Sequence, residues 1–155
     1  MKKNRIISSV VFVTLMLSIN HFLAQSNYFK ELSKNYKDIE DHTMVIVSDT
    51  IKSYPLKLSH AKAASKNLEQ AKKRFSELKK TMPGTQKKKI APELNTVETY
   101  HIIATNQVSD LNSQLSKSHS DSLQIHLNAK KLLETIKKMN AANESLRNKY
   151  DEETK

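Results

Sequence analysis

Cysteine is absent from this 155-residue chain, which excludes disulfide frameworks, thiolate metal sites, cysteine nucleophiles and lipid attached through a thiol. Glycine occurs once, at Gly84, proline three times and tryptophan never. A single glycine cannot build a phosphate-cradling loop or a G-x-S-x-G elbow, and a sheet protein of this length needs many more turn residues. The H-E-x-x-H pattern is also missing. What remains is 37% apolar and 27% charged, a balance that suits long amphipathic helices. The expected fold class is all-α, in one domain stabilised by packing alone.

Residues 1–24 have the three parts of a secretory signal peptide. Lys2, Lys3 and Arg5 precede the apolar run Ile6 to Ile19, and a short polar region ends at Leu23-Ala24-Gln25. The apolar run covers about 14 residues, short of the roughly 20 that span a bilayer as a helix, so it reads as a leader cleaved after Ala24. Phe22, three residues before that point, departs from the small-residue pattern and keeps an uncleaved anchor as the alternative. Export to the periplasm or medium of a bacterium fits a chain without cysteine.

The rest of the sequence reads as one domain, residues 25–155, with helices at about 26–53, 56–82, 92–118 and 121–152. Phe29, Leu32, Tyr36, Ile39, Thr43, Val47, Ile51 and Tyr54 form a first stripe, although Met44 to Val47 also suits a short strand. Pro55 marks a boundary. In the second stripe Ala61, Ala64, Leu68, Ala71, Phe75, Leu78 and Met82 alternate spacings of three and four until Pro83-Gly84 ends the run.

From Ile90 to Tyr150 the same alternation continues through Leu94, Val97, His101, Ala104, Val108, Leu111, Leu115, Ser118, Ser122, Ile125, Ala129, Leu132, Ile136, Met139, Asn143 and Leu146. Serines between 116 and 122, with Asp121, compete with helical hydrogen bonding and suit a corner there. A corner gives an antiparallel four-helix bundle, the reading taken here. Without it the chain is a three-helix coiled coil with one C-terminal helix of about 60 residues, roughly 90 Å long.

The formal charge is +10, but it is local. Between Lys57 and Lys89 stand eleven basic residues against Glu69 and Glu77, a balance of +9, whereas the rest of residues 25–155 carries −2. Lys62, Lys66, Lys73 and Lys80 share the outer face of the second helix, and Lys87, Lys88 and Lys89 follow in the next loop. These seven lysines are the candidate anion- or partner-binding residues. The plainer account is a solvated face on which Lys66, Glu69, Lys73, Glu77 and Lys80 pair among themselves. Phe75 points into the seam and leaves the lysine face without an aromatic stacking platform, so sequence-specific nucleic-acid recognition is not expected.

Catalysis is not expected either. Glu98-Thr99-Tyr100-His101 has the E-x-x-H spacing of di-iron bundles, which need the motif on two helices and glutamates from two more; here it occurs once. His119 and His126 stand about 10.5 Å apart along a helix axis, too far to share an ion. His42 and His60 have no neighbour at ligand spacing on their own helices. No cofactor or metal is therefore assigned. Asn143 falls on the seam, where a lone amide fixes register, and its position argues against use of the Asn143-Glu144-Ser145 sequon.

These readings point to an exported, non-enzymatic helical binding protein. Its expected partner is an anionic envelope surface or a protein, with a homo-oligomer allowed and no transmembrane span in the mature chain. A periplasmic chaperone that opens to present the Leu68-Phe75-Leu78 seam is the alternative, and a metal-dependent oxidase at Glu98 and His101 a remote one.

Overall fold

Alanines at 61, 64 and 71 leave room for a second backbone beside their helix, and the larger Leu68, Phe75 and Leu78 between them fill the space that remains. In the computed structural model this pattern produces a helical bundle with no strand among the described residues. Those residues are 2–48, 53–117 and 121–154, with backbone alone for 2–24. The helices are α1 (Lys2–Val47), α2 (Tyr54–Thr81), α3 (Gly84–Lys89), α4 (Ala91–Leu115) and α5 (Ser122–Glu152). The leader and its cleavage point lie outside the residues whose side chains are described. Among the described residues no helix is long and apolar enough to cross a membrane.

Each helix end has a local cause. Pro55 sits in the first turn of α2, where its missing N–H is no loss, so the helix starts one residue before the proline rather than after it. Pro83 ends the run beyond Met82. The stretch expected to be a loop between 83 and 91 instead forms the single-turn helix α3, and Ile90 (φ −107°, ψ 17°) bends the chain into α4. Helix α4 stops at Leu115, and α5 restarts at Ser122 with Asp121 as its cap, the carboxylate accepting a 2.8 Å hydrogen bond from the Leu123 N–H. Ser118 itself lies outside the described residues.

The first stripe needs a correction. Helix α1 ends at Val47 rather than near 53, and its buried residues are Phe29, Leu32, Tyr36, Ile39, Thr43 and Ile46. Ile46, not Val47, continues the alternation of three and four, while Tyr54 is exposed. A step of four from Thr43 after the step of four from Ile39 reaches Val47, which is half-buried on the flank of the seam, and Ile51 lies outside the described residues. The run Met44 to Val47 is helical and provides no strand.

Helix α1 packs against α2 and α5, and α4 packs against α5 and α2. Gln25 Nε2 donates to the Thr81 carbonyl at 3.4 Å while His42 meets His60, so α1 and α2 run in opposite directions. Phe29 against Tyr150 (ring centroids 5.7 Å apart) and Asn143 Nδ2 donating to Ser33 Oγ (3.2 Å) give α1 and α5 the same relation. Helices α2 and α4 are likewise opposed, through Phe75 with His101 and Lys79 with Glu98. Asn128 Nδ2 donates to Gln114 Oε1 at 2.9 Å, between the end of α4 and the start of α5. The core is a column of fully buried leucines, isoleucines and alanines, each large side chain contributing about 1.5–3 kcal/mol.

Candidate functional site

The lysine face follows from the way α2 is seated. Burial of Ala61, Ala64, Leu68, Ala71, Phe75 and Leu78 against α1 and α4 turns Lys62, Lys66, Lys73 and Lys80 into solvent, spread over about 27 Å at 1.5 Å per residue. Past Pro83, helix α3 carries Lys88 and Lys89 exposed and Lys87 half-exposed. All seven therefore lie on the outside, along α2 and round its C-terminal end.

The carboxylates on α2 are engaged elsewhere. Glu69 pairs with Lys72 at 3.3 Å, and Glu77 pairs with Arg74 at 3.0 Å. Arg74 also reaches Glu31 of α1 at 2.7 Å, and Lys79 reaches Glu98 of α4 at 2.8 Å. Among the described residues Lys62, Lys66, Lys73, Lys80, Lys87 and Lys88 have no carboxylate within 4.0 Å. The mutual pairing of Lys66, Glu69, Lys73, Glu77 and Lys80 that the spacing allows does not form. Lys89 is the exception among the seven: its ammonium meets Glu153 at 2.6 Å and holds that carboxyl below the usual range. Lys73 also borders a polar groove of about 490 Å³ between α1 and α2, with Lys34, Arg74, Glu31 and Asp38 on its walls.

The E-x-x-H pair separates into two different environments. Glu98 points outward to Lys79, whereas His101 turns into the core, where its Nε2 and the Tyr36 hydroxyl share a 2.8 Å hydrogen bond. The Phe75 ring stands edge-on to the imidazole, with centroids 5.2 Å apart. Burial, aided by the charge of Lys72 and opposed by Glu98, lowers the His101 pKa to about 4, so the ring is neutral at pH 7. Burial also raises the Tyr36 pKa, so the phenol keeps its proton. A small cavity of about 180 Å³ touches His101 between Lys79 and Ile102. No group of three or more metal-ligating side chains forms among the described residues. His119 lies outside them.

Asn143 is buried as its seam position requires, with its amide nitrogen on Ser33 and its oxygen unpartnered. Sequence spacing missed two contacts that exist only between helices: Tyr36 with His101, and His42 with His60. The signal in the first case was a tyrosine and a histidine both on core-facing stripes; the second left none.

Compared with family models, curated proteins and solved structures, the chain matches none.

Proposed function

We propose that this chain is an exported, non-enzymatic protein whose antiparallel four-helix bundle docks on an anionic surface of the cell envelope. The observation that carries this reading is the uncompensated charge of Lys62, Lys66, Lys73, Lys80, Lys87 and Lys88, which have no carboxylate within 4.0 Å among the described residues. An exposed ammonium without a partner attracts phosphate or carboxylate groups, and each contact releases counterions, so the attraction weakens with salt. Several such charges on one rigid helix add their attraction at no further ordering cost. Lysine is a compact point charge and confers no base or headgroup specificity, which suits a surface rather than a defined small ligand. The pairwise helix contacts support the bundle, and the segregation of charge on α2 and α3 supports docking through that side.

The test is co-sedimentation with vesicles containing phosphatidylglycerol at low salt, comparing the parent with Lys73→Glu/Lys80→Glu. Neither side chain packs in the core, so the variant keeps its fold. Binding is expected to fall at least tenfold in the variant, and in the parent to disappear at about 0.5 M salt. Equal binding by parent and variant sinks the proposal.

A further inference from the structure

At the end of the bundle remote from Lys87–Lys89, α1 and α2 bring two histidines together across the gap between them. His42 Nδ1 and His60 Nδ1 are 3.0 Å apart, the rings are half-buried, and their centroids lie 5.2 Å apart at an interplanar angle of 52°. In the neutral pair one Nδ1–H donates to the other Nδ1, so one shared proton occupies the space between two nitrogen lone pairs. The separation is also that of two ligands on one ion. Nitrogens at about 2.0–2.1 Å from a metal, subtending about 95–110°, stand roughly 3.0–3.4 Å apart.

We propose that His42 and His60 form a two-imidazole site for a divalent transition-metal ion that prefers nitrogen donors, of the zinc and copper(II) class. The ion takes the place of the shared proton. The imidazole that donated through Nδ1 moves its hydrogen to Nε2, both Nδ1 lone pairs turn to the metal, and the neutral pair keeps all its protons. Zinc and copper suit imidazole, whereas magnesium and calcium call for a set of oxygens that the pair lacks. No third histidine, aspartate or glutamate completes a cluster among the described residues, so water fills the other positions and the ion exchanges readily. His42 stands about one and a half turns from the end of α1 and His60 about as far from the start of α2, so the ion ties the helices together near the ends that the chain connects. The site is independent of the lysine face and stands or falls without it.

The test uses untagged full-length protein and zinc ion in a non-coordinating buffer, followed by calorimetry. One zinc per chain is expected, with a metal-dependent rise in melting temperature. His42→Gln and His60→Gln should each weaken binding at least tenfold at unchanged helical circular dichroism, whereas His126→Gln should not. Copper(II) bound to the parent should show hyperfine coupling to two imidazole nitrogens in its paramagnetic resonance spectrum, a measurement that needs no variant. Absence of saturable zinc binding, or binding that survives both substitutions, overturns the site.

Discussion

Acid should destabilise this protein through one residue before its carboxylates respond. His101 is 4% exposed, and its pKa is lowered from 6.5 to about 4, chiefly by burial. The unfolded chain takes up a proton near 6.5, while the folded chain refuses it until about pH 4. Between those values the unfolded state binds more protons, so stability falls as pH falls: the contribution is fully present above 6.5 and lost by about 4. At 1.36 kcal/mol per unit the difference is worth about 3 kcal/mol, a large fraction of a small domain's stability. Urea unfolding of parent and His101→Gln between about pH 7 and pH 4 measures it, because glutamine does not titrate and still offers the Tyr36 hydroxyl an acceptor. Carboxylates such as Glu153 titrate in both proteins, so the difference between the two slopes belongs to His101. Expected is a steeper loss in the parent, reaching about 3 kcal/mol relative to the variant. Parallel slopes would mean that the imidazole charges inside the fold without penalty, and the reasoning from burial would fail.

Two further outcomes follow from single contacts. Asn143→Leu should raise the urea midpoint by an amount equivalent to about 1 kcal/mol, since it removes a buried, unpartnered amide oxygen whose only compensation is the bond from the amide nitrogen to Ser33; an unchanged or lower midpoint contradicts this. Asp121→Ala should cost about 1 kcal/mol by removing the cap that the Leu123 N–H uses, which guanidinium unfolding will detect, and a change within error would show that water replaces the carboxylate without loss.

Periodicity made the core legible because each helix buries a single stripe. Every seam residue read between Leu94 and Leu115, and between Ile125 and Tyr150, is buried, as is every one from Ala61 to Met82. Where the stripe was extended by a step of four from Thr43, Val47 fell to the half-buried flank of the seam and Ile46 took the buried position, since a helix facing its neighbours needs the mean step of 3.5. Helix ends were harder to place: Tyr54 preceding Pro55 is helical, and the lysine-rich connection after Pro83 makes a turn of helix, because first-turn N–H groups need no partner from the helix itself. At the candidate site, the outward placement of the lysines was readable from 100° per residue, but which carboxylates answer them was not. Glu77 pairs with Arg74, whose guanidinium also reaches Glu31 on another helix, a contact that local spacing does not reveal. His42 and His60 were invisible to any local rule, being 18 residues apart on helices whose relative rotation is set by the whole core.

The order of the contacts along the chain has its own outcome. Gln114 and Asn128 meet across 14 residues, whereas Ser33 and Asn143 meet across 110. The α1–α2 and α4–α5 pairs can each zip up from the helix ends that adjoin in sequence, but the faces that join the two pairs wait for the whole polypeptide. Each hairpin meanwhile offers a complete apolar face, and the same face exists on every other copy. The short helix α3, which begins at Gly84, links the two halves along the chain, and a side chain added at Gly84 would meet nothing within 4 Å. The expected cost is a refolding yield that falls as protein concentration rises, because the exposed faces of different molecules compete with the faces within one; a yield independent of concentration would contradict this.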